Sequence, residues 1–487
     1  MLWRDLREYL DRLEQLGDLL RVTGANWEEE IGGISELMIE QHGPALLFDE
    51  IPGYPRGHRV AANLYTTPKR TAVVFGLDYE PPETLAERWL QLLRDLKPIP
   101  PAYVESGPIF ENVLTGDAIN LFAFPTPKWH EDDGGRYIGT GLSVIQKDPD
   151  SAFVNAGAYR VSVYDEQTCT LFIEPDNHGD TIRRKHWARG EKCPVVVSCG
   201  EEPILMALSG SSLYRTPRGT SEFDVAGYLH GEPYPVVRGQ FTGLPIPATA
   251  EIAIEGYIPS PEQALVPEGP FGEWTGYYAH GRRPETIIEV KAIYHRNAPI
   301  LFGQPPQRPV SAYYNPNFGG DDAATKLMLE QSGIPGIQRI YTLARPFLRV
   351  VVLKQQYAGH VADVTRLLAP GGEQHSGHHI WILVDEDIDP TSPQEVLWAI
   401  ASRCAPESGV TTVPVTAVWQ LDPLLRPEDR SEPGQDAGRQ RYRADDLVLN
   451  ACKPYEWYDD FPPVAINSPA LRQRIREKWR HLFVKMP

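Results

Sequence analysis

The stretch IGTGLSVIQKDPDSAFVNAGAYRVSVYDEQTCTLFIE, residues 138–174, decides the fold predicted for the middle of this chain. It holds several short runs rich in β-branched residues, separated by Gly, Pro and polar residues, as antiparallel strands are. Similar runs follow at PVVVSCG (194–200), TAEIAIEGYI (249–258) and TIIEVKAIY (286–294). Strands this short and this closely spaced predict a closed or strongly bent antiparallel sheet between about 138 and 302.

The segments on either side predict helices and a second layered unit. Leu and Tyr recur at helical spacing over 2–17, and further helices are expected at Trp27–Ile39 and Thr84–Leu96. Beyond 320, predicted helices at 322–332, 358–369 and 392–403 alternate with the apolar runs LRVVVLK, HIWILVDED and TTVPVTAVWQL. A last helix is expected in SPALRQRIREKWRHLF (468–483). Strand–helix alternation of this kind predicts an α/β layer domain.

Length, charge and cysteine content exclude several classes of protein. A chain of 487 residues is too long for one core, so two or three domains are expected. The net charge of −18 argues against nucleic-acid and anionic-membrane partners. No run reaches the ~20 apolar residues of a membrane span, and the charged first twenty residues do not resemble a signal peptide. Five cysteines without C-x-x-C spacing predict a reduced, cytoplasmic protein rather than a disulfide scaffold or zinc ribbon.

The segment VNAGAYRVSVY (154–164) carries the first candidate site residues, Asn155 and Arg160. In a regular strand their side chains would point to opposite faces, but Asn155-Ala-Gly-Ala favours a bend between them. The alternative is that Asn155 caps a turn and Arg160 is a solvated strand arginine.

Two more polar segments supply candidate metal ligands, FIEPDNHGD (172–180) and GTSEFDVAGYL (219–229). The amide of Asn155, the imidazole of His178 and the carboxylate of Glu222 form a mixed oxygen and nitrogen set that suits Mn²⁺ or Mg²⁺, with positions left for phosphate and water. These residues lie far apart in sequence, so the spacing is not diagnostic. A loop histidine is also often structural or solvated.

A third segment, VPEGPFGEWTGYYAHG (266–281), places Glu268 and Glu273 five residues apart. The glycines and proline between them exclude a regular helix and allow close backbone approach. Burial and a nearby arginine would push the two carboxyl pKa values apart, which gives one ionised group and one proton donor. The alternative is a surface turn with solvated glutamates, although the surrounding aromatic residues favour burial.

Four motifs in order resemble the UbiD family of prenylated-FMN-dependent reversible decarboxylases: FPTPKWHEDDGGRYIGTG (124–141), NAGAYR, EGPFGEWTGY and VVVLKQQYAGH (350–360). The resemblance implies decarboxylation of an aromatic, heteroaromatic or α,β-unsaturated acid through a covalent adduct with the metal-bound cofactor. It also implies that Arg160 holds Glu268 ionised while Glu273 delivers the proton to the carbon that has lost CO₂.

The resemblance assigns further residues to the cofactor. It implies that Asn155, His178 and Glu222 hold Mn²⁺ (or Mg²⁺), which holds the phosphate, and that K⁺ (or Na⁺) lies beside backbone groups near Ser211, Ser212 and Tyr214. The flavin contacts that it implies are Asn155, Ala158, Tyr159, Arg160, Asn177, His178 and Lys354; Asn177 stands where the family carries glutamine. The stretch with Gln304, Arg308, Tyr313 and Tyr314 resembles the substrate side in relatives, and a packing role for Arg308 is the alternative.

The fold implied by the resemblance is α+β. It has an N-terminal α/β segment (1–108), a split β-barrel of the flavin-reductase type that binds prenylated FMN (109–310), a helical connection (311–340) and a C-terminal α/β oligomerisation domain (341–487). The implied partners are a small carboxylic acid, a flavin prenyltransferase that supplies the cofactor and further copies of the chain, as homodimer or homohexamer. Two other functions stay open from sequence: an ordinary FMN-dependent reductase, and a catalytically silent scaffold.

Overall fold

The computed structural model describes residues 2–76, 88, 91–92, 94–139, 141–210, 219–306, 308, 320–344, 347–368, 380–415, 420–430 and 444–482. The predicted helix at 84–96 lies largely outside these residues, as do Ser211, Ser212, Tyr214, Tyr313 and Tyr314. No helix in the described part of the chain is both long and apolar enough to cross a bilayer. None of the five cysteines forms a disulfide.

The elements follow one another in three groups. The first group is α1 (Leu6–Gln15), β1 (Leu19–Thr23), α2 (Glu30–Glu40), β2 (Ala45–Asp49), β3 (Arg59–Ala62), α3 (Pro68–Val74) and β4 (Ala102–Tyr103). The second is β5 (Asn112–Thr115), β6 (Arg136–Tyr137), β7 (Leu142–Lys147), β8 (Val154–Gly157), β9 (Arg160–Val163), β10 (Thr168–Phe172), α4 (His178–Ala188), β11 (Cys193–Cys199), α5 (Pro203–Ser209), α6 (Glu222–His230), β12 (Pro235–Arg238), β13 (Pro245–Pro247), β14 (Ile252–Ile258), β15 (Val266–Glu268), β16 (Arg283–Glu285), β17 (Ile287–His295) and β18 (Ile300–Gly303). The third is α7 (Gly320–Gln331), β19 (Ile337–Ala344), β20 (Leu348–Leu353), α8 (His360–Leu368), β21 (Ile380–Asp385), α9 (Pro393–Arg403), β22 (Val410–Val415), β23 (Ala444–Ala451) and α10 (Pro469–Lys478).

The N-terminal part is a four-stranded sheet covered by α1. Asp5 caps α1 by accepting a hydrogen bond from the Glu8 amide at 2.9 Å, and the apolar face of the helix is buried. The strand order is β1-β2-β3-β18, so the last strand comes from beyond the central sheet and pairs in parallel with β3. One continuous hydrophobic core joins this part to the central sheet.

The central sheet is antiparallel and must curl. Its order is β6-β9-β10-β17-β14-β11-β7-β8, with β5 also pairing with β17. β8 and β9 are six strand spacings apart in this order, about 29 Å in a flat sheet. Only Ala158 and Tyr159 separate Gly157 from Arg160, and three residue steps span at most about 11 Å. The two ends of the sheet therefore approach each other, as in a half-barrel.

The C-terminal part is a layered α/β unit. Its five strands run in the order β19-β20-β21-β23-β22, with parallel pairing at β20–β21 and β21–β23. Val351 and Leu353 pack into one hydrophobic cluster, while Val350 and Val352 pack into another. Successive residues of β20 are thus buried on opposite faces, as in a sheet covered on both sides.

The mixed α+β class, the bent antiparallel sheet and the layered C-terminal unit are confirmed. Most predicted helices lie within a few residues of the observed ones; 392–403, for example, became Pro393–Arg403. The split-barrel description and the boundaries at 108, 310 and 340 stay predictions, although β18 belongs to the N-terminal sheet.

Two adjacent glycines in α2 provide a matched test of this packing. A Cβ on Gly32 would lie 1.9 Å from the carbonyl oxygen of Trp129, whereas a Cβ on Gly33 would meet nothing within 4 Å. We expect Gly32→Ala to lower the free energy of unfolding by about 1–3 kcal/mol through overpacking. Gly33→Ala should raise it by about 0.5–1 kcal/mol, because alanine favours the helix. Urea unfolding of both variants checks this, and equal shifts would contradict the packing of α2 on Trp129.

Candidate functional site

Arg160 lies between two buried glutamates. Its Nη2 donates to Oε2 of Glu268 at 2.7 Å, and its Nη1 donates to Oε1 of Glu273. The three residues are 7%, 4% and 4% exposed, so the pairs are shielded from water. The guanidinium also lies 4.4 Å from the ring centroid of Phe172 and 5.4 Å from that of Phe271. The structure thus brings the three predicted catalytic residues together.

Two elements far apart in sequence position this triad. Arg160 begins β9 and is the register partner of Phe172 on β10, which places the aromatic ring under the guanidinium. Glu268 ends β15, where it is the partner of Arg283 on β16. The predicted bend is also present, because β8 ends at Gly157 and β9 begins only at Arg160.

The carboxyl group of Glu273 holds its proton more tightly than an ordinary glutamate. Burial raises the pKa of Glu273 to about 7, against the pull of the Arg160 charge and with help from the negative charge of Glu268. The pKa of Arg160 is also raised, because its two carboxylate partners outweigh the effect of burial. Both glutamates bind Arg160. Closeness to the arginine therefore does not distinguish them, although the sequence-based prediction was that it would.

Glu268 has a second donor. The hydroxyl of Tyr137 donates to Oε1 of Glu268 at 2.9 Å. Glu268 therefore accepts hydrogen bonds at both oxygens, one from Tyr137 and one from Arg160.

A charged network behind the triad reaches the C-terminal part of the chain. Glu174 accepts a hydrogen bond from the Gln420 amide at 3.0 Å, and burial raises the pKa of Glu174 to about 7. Arg283 contacts His280 at 3.3 Å, and burial beside positive groups lowers the pKa of His280 to about 2. His280 is therefore neutral at physiological pH and cannot serve as a second proton donor.

The predicted metal ligands surround β8. Glu222 begins α6 and accepts a hydrogen bond from the Ala156 amide at 2.8 Å through Oε2. The hydroxyl of Tyr159 meets the Asn155 side-chain nitrogen at 3.4 Å and the Gly179 amide at 3.1 Å, next to His178. Asn155, Glu222 and the start of α4 are therefore neighbours in space.

These residues fit a divalent cation and an attached phosphate. Asn155 uses its amide nitrogen toward Tyr159, which leaves its oxygen to face a cation. His178 lies at the N-terminus of α4, and partial desolvation of its imidazole lowers its pKa, which favours the neutral form that can ligate a metal. Among the described residues, no three His, Cys, Asp or Glu side chains group as a metal site. The candidate set is thus a mixed one that includes an amide.

The remaining predicted residues are more scattered. Asn177 precedes α4 without a side-chain cap, and Ala158 donates its amide to the Ser209 carbonyl at 2.8 Å. Lys354 follows β20, is 60% exposed in its side chain and lies 3.9 Å from Glu386. These contacts tie Lys354 to the C-terminal part rather than to the triad.

The predicted substrate residues follow β18. Gln304 is buried, and Arg308 is exposed. Their substrate role stays a prediction. Tyr313 and Tyr314 lie outside the described residues.

Sequence reasoning missed Tyr137, Glu174 and Asp133 as site residues. Tyr137 and Asp133 lie in the motif FPTPKWHEDDGGRYIGTG, which was identified from the sequence, but nothing in that motif indicated the loop that they contact. Glu174 lies at the end of a strand already identified, but nothing local indicated its contact with Gln420.

Comparison with known proteins matches three family models along the chain. They are the 3-octaprenyl-4-hydroxybenzoate carboxy-lyase N-terminal domain over residues 10–93, the Rift-related domain over 102–309 and the C-terminal domain over 322–438. All three are parts of one family, termed UbiD, and together they cover most of the chain.

Curated relatives match over nearly the same length. Pyrrole-2-carboxylic acid decarboxylase of Pseudomonas aeruginosa is 32% identical, with 98% of this chain and 97% of that protein covered. Phenolic acid decarboxylase of a Streptomyces species is 30% identical, with 88% and 90% covered. Vanillic acid decarboxylase of Sedimentibacter hydroxybenzoicus, in its open form, has a TM-score of 0.80 at 26% identity, with 99% of both chains covered. These matches agree with the order of elements described above.

The raised pKa of Glu273 predicts a pH-dependent stability. Between its ordinary value of 4.5 and about 7 the unfolded state releases this proton while the folded state keeps it, so stability falls as pH rises. Glu273→Gln removes that penalty. The free energy of unfolding of the variant minus that of wild type should increase by about 1–3 kcal/mol from pH 5 to pH 8.

Urea unfolding of flavin-free protein at both pH values measures this difference. Glu131→Gln is the matched control, because Glu131 is exposed and should show no such trend. A constant or shrinking difference for Glu273→Gln would mean that burial does not hold the proton on this residue.

Proposed function

Because the chain belongs to the UbiD family of carboxy-lyases, we propose that it reversibly removes CO₂ from an aromatic or heteroaromatic carboxylic acid with the aid of prenylated FMN. The observation that carries the proposal is the buried set of one arginine and two glutamates, Arg160, Glu268 and Glu273. Relatives named for pyrrole-2-carboxylic and phenolic acids support an aromatic substrate.

The residues around β8 hold the cofactor in this proposal. Asn155, His178 and Glu222 bind Mn²⁺ or Mg²⁺, which takes the phosphate, with K⁺ or Na⁺ beside them. Ala158, Tyr159, Asn177 and Lys354 are the further flavin contacts. Loss of CO₂ from an sp² carbon leaves an electron pair that no side chain can accept, and the prenylated flavin supplies that electron sink when bound.

Arg160 organises the protein's own part of the reaction. A guanidinium stays charged throughout, so it fixes two carboxylates in one place without exchanging a proton itself. Its contacts with Phe172 and Phe271 hold the plane of the guanidinium, and burial keeps water from competing for the carboxylates. The substrate carboxylate is placed near this positive centre before CO₂ leaves.

Glu273 and Glu268 then have different tasks. Glu268, with Tyr137 and Arg160 as donors, stays ionised and balances the arginine. Glu273, whose pKa burial raises to about 7, keeps its proton in a large fraction of the molecules at neutral pH and delivers it to the carbon that has lost CO₂. In the carboxylation direction the same residue removes that proton.

The cellular setting follows from the same family. A cytoplasmic location, cofactor supply by a flavin prenyltransferase and assembly of the chain into a homodimer or homohexamer through its C-terminal domain belong to the proposal. Gln304 and Arg308, which follow β18, are proposed to line the substrate side.

Cofactor supply provides the first test. Protein co-expressed with a flavin prenyltransferase should decarboxylate at least one acid in a screen of benzoic, phenolic and heteroaromatic acids. Protein made without that enzyme should carry plain FMN or none, and should be inactive, because plain FMN lacks the electron sink. Mass spectrometry and the absorption spectrum identify the flavin. Turnover with only plain FMN bound would contradict the requirement for the prenylated flavin.

The second test separates proton delivery from cofactor binding. Glu273→Gln should lower turnover at least about 100-fold, the lower end of general acid contributions, and keep flavin and metal. Glu222→Gln makes the same chemical change at the proposed metal site and should lose both. Metal analysis and flavin content of the two variants are compared beside turnover. Near-normal turnover of Glu273→Gln would assign the proton to another group.

A further inference from the structure

The loop of residues 130–137, which we term the clamp loop, interlocks with the loop that carries Glu273. The Gly134 amide donates to the Pro270 carbonyl at 2.7 Å. Tyr137 donates to Glu268 at 2.9 Å, and its hydroxyl lies 3.2 Å from the Pro270 carbonyl. These contacts bring together residues more than 130 positions apart in sequence.

Asp133 is the buried acid at the centre of the clamp loop. Its Oδ1 accepts the Gly272 amide at 3.1 Å, and its Oδ2 accepts the His130 amide at 3.0 Å. The side chain is fully shielded from solvent, and the His130 ring nitrogen lies 3.5 Å from Oδ2. A buried carboxylate is tolerated only when donors satisfy it, and here backbone amides from both loops do so.

The Gly272 amide belongs to the peptide group between Phe271 and Gly272, one peptide before that of Glu273. Glu273 itself lies in a turn, because its amide donates to the Tyr277 carbonyl at 2.9 Å and the Gly276 amide donates to its carbonyl at 2.8 Å. Asp133 thus fixes the backbone one residue N-terminal to this turn. With both sides fixed, the Glu273 side chain has a defined origin from which to reach Arg160.

The two loops pack so closely that Gly134 and Gly272 leave little room for a larger side chain. A Cβ on Gly134 would lie 1.9 Å from the Gly269 carbonyl oxygen, and a Cβ on Gly272 would lie 3.1 Å from the His130 ring. The His130 ring therefore closes the space beside Gly272, while Asp133 bonds to its amide. Close backbone packing and hydrogen bonds together therefore fix the two loops against each other.

We propose that Asp133, through its hydrogen bond to the Gly272 amide, is a positioning residue that holds the proton donor Glu273 on Arg160. The proposal rests on the proposed function for the role of Glu273, but the clamp itself does not. A misplacement of about 1 Å at a catalytic group lowers turnover up to about 100-fold. The hydrogen bonds of Asp133 go to His130 and Gly272 and not to the predicted metal ligands, so we expect its replacement to leave cofactor binding intact.

The experiment uses the full-length, flavin-loaded enzyme and three variants. Asp133→Ala removes both acceptors, Asp133→Asn keeps one acceptor for the Gly272 amide, and Glu131→Ala changes an exposed residue of the same loop. We expect Asp133→Ala to lower kcat about tenfold or more with KM changed less than about twofold. Asp133→Asn should recover most of that loss, to within about threefold of wild type, and Glu131→Ala should match wild type.

A second readout does not depend on activity. Crystal structures of wild type and Asp133→Ala should show the Glu273 carboxylate on Arg160 in the first and displaced in the second. If no acid is turned over by wild type, the proposed function fails while this comparison still decides the clamp.

Two results would overturn the proposal: wild-type kcat in Asp133→Ala, or an unmoved Glu273 in its structure. If Asp133→Ala does not fold, Asp133→Ser takes its place, because its shorter side chain also loses the hydrogen bond to the Gly272 amide, and the same two results decide.

Discussion

The buried guanidinium of Arg160 is the group on which the arrangement of the site depends. A positive charge removed from water needs opposite charge and hydrogen bonds close by, or it destabilises the fold by several kcal/mol. Glu268 and Glu273 meet that need from a hairpin more than a hundred residues away. Three features together bring the two glutamates to this arginine: the curl of the central sheet, the hairpin and the clamp loop.

The two glutamates bind the same arginine, so their distance from it does not assign their roles. Burial raises the pKa of Glu273, and the negative charges of Glu268 and Glu174 raise it further, while Glu268 receives the hydroxyl of Tyr137 as a second donor. Because Glu174 accepts a hydrogen bond from the Gln420 amide, the C-terminal part of the chain contributes to the electrostatics of the site.

Local patterns allowed much of this structure to be predicted. The periodicity of residues 2–17 located α1, and the small residues after Asn155 indicated the bend that lets β8 and β9 take opposite ends of the sheet. The candidate triad was found as residue types in motifs, and the structure brings it together. Asp133, Tyr137 and Glu174 were missed, because their contacts join segments whose separation in sequence carries no periodic signal.

The fourth strand of the N-terminal sheet has a consequence for how the chain is made. β3 ends at residue 62, but β18, its parallel partner, is not complete until residue 303. During synthesis the open edge of β3 therefore waits while about 240 further residues are added, at roughly 5–20 residues per second. An unpaired strand edge is a template for association with other chains. For tens of seconds the nascent chain thus exposes the unpaired edge of β3, which holdase chaperones can bind.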